Sequence, residues 1–234
     1  MKNRFLSLAI LGLSLTALSC SDDENGTSGD NVKLTAQTTY TLNKTSAAKV
    51  LGNVVVTSFK INIKEIEFDM DDDFSTGDGF YGDDDDIELK GPFELNLLGG
   101  PIEIVGLNVP NGVYEEVEFK IHKGVNSSSD MFNKSIKIEG TINSTPFVFW
   151  HNVEEDFEID YENTTQQLVV SDGTNVNVVF NFDLNSVLNS VDLSLATDIN
   201  KDGLIEINPN DSDGNQLLAN QIKNKIKEFC DLED

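Results

Sequence analysis

Apolar and polar residues alternate nearly one for one through residues 32–42, with Val32, Leu34, Ala36, Thr38, Tyr40 and Leu42 set against Lys33, Thr35, Gln37, Thr39 and Thr41. A period of two puts successive side chains on opposite faces of a strand, so this stretch reads as β with one wet face. Val54 and Val56, then Phe59, Ile61 and Ile63, continue the pattern. The phase slips before Ile66 and Phe68, where a bulge or a strand break is expected. Further strands are predicted near 93–98, 102–107, 113–122, 135–142, 146–151, 157–161, 167–171 and 175–183. Turn chemistry separates them: Gly99-Gly100-Pro101, Pro110-Asn111-Gly112, and the hairpin pair Asp172-Gly173. Many short strands joined this way predict a mainly β chain, an antiparallel β-sandwich.

The pattern changes towards the C-terminus. Leu218, Ile222, Ile226, Phe229 and Cys230 recur at helical spacing, with Lys223, Lys225 and Lys227 elsewhere on the wheel. This predicts an amphipathic helix over residues 215–231, packed on a sheet or its edge, with Cys230 as a core or half-buried thiol in its apolar stripe. A shorter helix is expected over 184–190. Residues 32–234 therefore read as one β-sandwich domain with a C-terminal helix.

The first residues have another purpose. Lys2 and Arg4 precede an apolar stretch from Phe5 to Leu18, too short for a comfortable membrane span of about 20 residues. Residues 1–19 fit a cleaved export signal. Ala17-Leu18-Ser19-Cys20 resembles the bacterial lipobox, and that resemblance implies a lipid thioether on Cys20; the alternative is an ordinary signal peptide that happens to hold a cysteine. Ser21, Asp22, Asp23 and Glu24 are similar to the surface-export signal of Bacteroidota lipoproteins, and would equally serve as an acidic tether. Residues 20–31, rich in Ser, Gly, Asp and Asn, are read as the lipidated cysteine and its flexible tether. The expected location is the outer membrane, facing outwards.

Charge narrows the partners. Removing residues 1–19 removes Lys2 and Arg4 from the 16 basic residues, leaving 14 lysines against 41 acids, a net −27. Such a surface repels nucleic acid and anionic headgroups and attracts divalent cations or basic partners. Arg4 is the sole arginine, so the exported chain lacks the best bidentate group for phosphate. Nucleic-acid and nucleotide binding are not expected. With Cys20 committed to lipid, Cys230 has no partner for an internal disulfide.

A family resemblance adds to this reading. Pro92-Phe93-Glu94-Leu95-Asn96-Leu97-Leu98, a turn, then Val109-Pro110-Asn111-Gly112-Val113-Tyr114 leading into Glu118-Phe119-Lys120-Ile121 resembles an uncharacterised β-sandwich domain of Bacteroidota surface lipoproteins. The likeness is close over 92–121 and loose over 54–183. It implies the fold and the compartment, and no activity.

One local motif has the chemistry of a metal site. Asp198-Ile199-Asn200-Lys201-Asp202-Gly203-Leu204-Ile205-Glu206 places side-chain oxygens at positions 1, 3 and 5 of an EF-hand-type loop, glycine at 6 and an apolar residue at 8. Pro209 stands where the bidentate acid belongs, so a complete EF-hand is not expected. Asp198, Asn200, Asp202 and Glu206 are the candidate calcium ligands, with Asn208, Asn210, Asp211 or Asp213 available to complete the shell. The competing reading is a plain Asp-Gly turn. Residues 69–86, with their acidic runs around Phe80 and Tyr81, are either a cation-organised loop or a solvated hairpin tip. His122 is expected to face solvent and His151 to close a strand; neither has a placed nucleophile beside it, so no enzyme is expected. Two functions remain: a surface-anchored binding or accessory module, for a glycan or a surface protein, and a structural subunit of a fimbria-like assembly.

Overall fold

The computed structural model describes residues 30–41, 54–70, 87–161 and 168–233. Two sheets face each other. The smaller runs β12-β10-β1-β4, built from β1 (Val32–Thr38), β4 (Ile102–Leu107), β10 (Val176–Phe182) and β12 (Cys230–Glu233). The larger runs β11-β7-β6-β2-β5-β8, from β2 (Val54–Met70), β5 (Gly112–Ile121), β6 (Ile136–Ile142), β7 (Thr145–His151), β8 (Glu155–Asp160) and β11 (Ile205–Ile207). Off that path, β3 (Ile87–Asn96) pairs β2 and β9 (Leu168–Val170) pairs β5. The chain is a two-sheet, mainly β fold carrying helix α1 (Leu184–Asn189) and a C-terminal helix α2 (Gln216–Glu228). Among the described residues no helix is long and apolar enough to cross a membrane.

Aromatic rings join the layers. Phe59, Phe119 and Phe157 of the larger sheet meet Phe180 and Phe182 of β10, with centroids 4.5–6.4 Å apart and ring planes steeply inclined. All five rings are buried. Burying a ring of this size contributes roughly 1.5–3 kcal/mol, and edge-to-face contact adds about a kcal/mol more.

β2 organises the larger sheet. The slip read before Ile66 is a bulge between Ile63 and Glu65, present in its pairing with both β3 and β5. A second shift between Val56 and Ser58 explains the step from Val56 to Phe59. Residues 54–61 pair β6, while 63–70 pair β5, so β5 and β6 run end to end along the same long strand. Asn62 sits at their junction: its N–H donates to Ser135 O, its carbonyl accepts from His122 N, and its side chain donates to His122 O. Gly140 of β6 lies so close to β2 that a Cβ there would stand 1.9 Å from Val55 O.

Three readings need correction. The pairings are not all antiparallel: β1–β10 and β11–β7 are parallel. The C-terminal helix ends at Glu228, and Cys230 is a half-buried strand residue opposite Phe182, because the chain turns back at Phe229 to pair β10. Asn31 belongs to the domain and not to a tether: its N–H bonds Leu107 O and its side chain bonds Val109 through both N–H and C=O.

Candidate functional site

The Asp198 segment forms a tight loop between α1 and β11. Asp198 Oδ1 accepts from the N–H of Asp202 (3.2 Å) and Oδ2 from Gly203 (3.0 Å). Asn200 Oδ1 accepts from Asp202 N (2.9 Å), and Asp202 Oδ1 from Leu204 N (2.9 Å). The motif residues thus turn their oxygens inward over their own backbone, as short Asx side chains do. Gly203 at φ +89° and Lys201 at φ +62° supply the left-handed steps. At Gly203 a Cβ would meet no neighbour, so the demand for glycine there is conformational.

Asp213, fully buried, holds this loop from behind. Its Oδ1 accepts from Ile199 N (3.1 Å) and Asn200 N (3.2 Å), its Oδ2 from Glu206 N (3.0 Å). Asn215 donates to the carbonyls of Thr197 (2.9 Å) and Glu206 (2.7 Å). Asp211 accepts from Asn208 N and Asn215 N. These side chains occupy the outer edge of β11, so Glu206 finds its backbone partners there without another strand. The Glu206 carboxylate is turned to Ser212 Oγ (3.4 Å), which also contacts Asn200 Nδ2 (3.2 Å). Among the described residues no three Asp, Glu, His or Cys side chains converge as a metal centre by themselves. Asp198, Asn200 and Asp202 are brought together; Glu206 is linked to them through Ser212. The framing roles of Asp211, Asp213 and Asn215 had no distinguishing signal in so Asp- and Asn-rich a sequence.

A second feature lies at the β5–β6 junction. Residues 122–135 leave the ladder at Asn62 and return to it. Met131, fully buried, pins the excursion, and a bridge joins Gly124 to Phe132. Asp130 takes Lys60 and Lys137, both at 2.8 Å, and these two hydrogen bonds lower its carboxyl to about 2. Lys134 Nζ donates to Asp130 O and sits 5.8 Å from the Trp150 ring centre. On this braced frame Val125 (69% exposed) and Phe132 (40%) face solvent.

The outward face of β2, β5 and β8 is acidic. Glu67, Glu118 and Glu158 stand in one cross-strand row, with Glu65, Lys120 and Asp156 in the next. Lys120 pairs with three of them, reaching Glu67 at 2.6 Å, Glu65 at 3.4 Å and Glu118 at 3.6 Å, and offsets one of their three charges. Burial pushes the Glu118 carboxyl up; Lys120 opposes that, while Asp156 and Glu67 reinforce it. A cavity of about 380 Å³ beside this face is lined by Glu154, Glu155, Asp156, Glu158, Lys227 and Cys230.

His122 is partly exposed, with Nε2 3.3 Å from Glu154. His151 closes β7 as expected, but on the inner face. Cys20, Ser21, Asp22, Asp23 and Glu24, like residues 71–86, lie outside the described residues. No family model, no curated protein and no solved structure matches this chain.

Proposed function

We propose that this chain is a lipoprotein held at the outer membrane through Cys20, displayed outwards by the Ser21, Asp22, Asp23, Glu24 run, and acting there as a binding or accessory module for a glycan or a surface protein. The observation that carries the binding role is the 122–135 excursion. A continuous β5–β6 ladder along β2 is interrupted to hold a loop braced by Met131 and Asp130, with Val125 and Phe132 turned to solvent. Apolar side chains held on a rigid loop suit recognition, since little ordering entropy remains to be lost on binding.

In this reading the Asp198 loop takes a calcium ion as a structural clamp. Side-chain oxygens of Asp198, Asn200, Asp202 and Glu206 are the hard donors such an ion prefers. The net −27 of the chain without residues 1–19 makes any divalent cation welcome.

The rival reading, a fimbria-like structural subunit, requires strand exchange between copies. Capping of the β11 edge by Asp213 and Asn215 argues for the module at that edge. Two measurements test the proposal on protein lacking residues 1–20. Size-exclusion chromatography is expected to give a monomer, and polymers would overturn it. On an immobilised polysaccharide array and on intact cells lacking this protein, the Val125→Ser, Phe132→Ser double variant should keep its melting temperature and lose the wild-type binding. Equal binding by both would remove the loop from recognition.

A further inference from the structure

His151 is the one histidine placed in the interior. Its side chain continues the inward phase of Phe147 and Phe149, and the residue is 8% exposed. Its backbone carbonyl is taken by Ser135, through both N–H and Oγ. Neither ring nitrogen has a hydrogen-bond partner among the described residues. α2 packs over this end of β7. The groups around the ring are Asn220 and Lys223 of α2 and Glu155 of β8. Asn220 spends its Nδ2 on Gln216 O at 3.0 Å, which leaves its amide oxygen as an acceptor. Glu155 is engaged twice, by Lys223 at 3.0 Å and Lys227 at 2.7 Å. Ser135 and Ile136, the neighbours on the β6 side, carry no charge.

A neutral imidazole tolerates this environment at the cost of an unmet polar atom, but an imidazolium does not. It would add a buried positive charge beside Lys223, and the acceptors facing it are the Asn220 amide oxygen and a carboxylate already holding α2 to β8 through two lysines. We propose that His151 is an acid-sensitive latch for α2: neutral, it lets the helix seat on the sheet, and protonated, it competes for Glu155 and releases the helix together with the β12 strand that follows.

The sign follows from the surroundings. Burial pushes the imidazole below its ordinary value; Asn220 and Glu155 act the other way, and Lys223 adds to the lowering. The unfolded chain therefore takes the proton first as pH falls. The stability His151 contributes is complete above about 6.5, the unfolded value, and is lost as pH drops through the lower folded value.

The test is amide hydrogen exchange over α2, corrected for intrinsic rates, at pH 7 and pH 5. Protection of α2 should fall at least tenfold at pH 5 in the wild type, with β2 and β5 unchanged, and should stay level in His151→Phe. A wild-type α2 equally protected at both values overturns the latch, as does an equal fall in His151→Phe, which would assign the effect to Glu155. Should His151→Phe not fold, the wild-type His151 Cε1–H resonance decides: it is expected to titrate below the ordinary histidine value near 6.5, and titration at or above that value overturns the proposal.

Discussion

Glu206 N–H donates to the Asp213 carboxylate at 3.0 Å, so a residue seven positions later completes the free edge of β11. The same carboxylate carries the N–H groups of Ile199 and Asn200, and its side chain is fully buried. Asp213→Asn keeps the shape but replaces an acceptor with a donor, leaving at least one buried N–H without a partner. A loss of about 2–3 kcal/mol is expected. Asp202→Asn, at an exposed position of the same loop, should cost well under half of that without calcium. Urea denaturation of both variants measures the difference, and equal losses would contradict the framing role of Asp213.

Lys120 is paired with Glu67 and Glu118, two members of the Glu67–Glu118–Glu158 row in which like charges stand directly opposite and repel. Lys120→Met should destabilise the domain on the order of 1–2 kcal/mol at low ionic strength, after allowance for its partial exposure. Added salt should restore much of that. A loss independent of salt would mean that packing of the lysine stem, and not charge, is what matters.

Asp130 and Trp150 supply a local reporter. Asp130 carries Lys60 and Lys137, Lys134 bridges to the single tryptophan, and hydrogen bonds from the two lysines lower the Asp130 carboxyl to about 2. Its contribution is therefore complete above the ordinary aspartate value near 4 and is lost as pH falls towards 2. Asp130→Asn should shift Trp150 emission at pH 7 in the direction the wild type shows only between pH 4 and 2. An unchanged emission in the variant would separate the excursion from Trp150.

Much of the β framework was legible in local sequence. β4 matches its predicted span, and the β2 bulge falls where the apolar phase slips, because both depend on period-two burial along one strand. Partners were not legible. β1 lies parallel to β10, with Val32 opposite Val176, and nothing local announces a pairing across that distance. The C-terminal helix was overextended because Cys230 falls four residues after Ile226, a spacing the turn into β12 happens to share. At the Asp198 loop the motif residues were readable from spacing, whereas Asp213 was one carboxylate among 41 acids. The burial of His151 could have been read from the phase of Phe147 and Phe149.

Calcium should act on the folded state alone. At a hundredfold excess over the dissociation constant it adds about 2.7 kcal/mol, a melting rise on the order of 5–10 °C for a domain of this size. Extracellular sites are often weak, so the titration must reach millimolar calcium. Asp198→Ala with Asp202→Ala should abolish the rise. An equal rise in the double variant would assign it to diffuse screening or to the acidic residues of 69–86, and no rise in the wild type would leave the loop as a turn.

The proposed place of action depends on the chain being held at a membrane by Cys20. Metabolic labelling of cells with an alkyne palmitate analogue, comparing wild type with Cys20→Ser, tests this most directly. The wild type should carry the label and sediment with the outer membrane, while Cys20→Ser should carry none and lose that association, since no other part of the chain offers an apolar segment of spanning length. Undiminished label on Cys20→Ser would contradict the account.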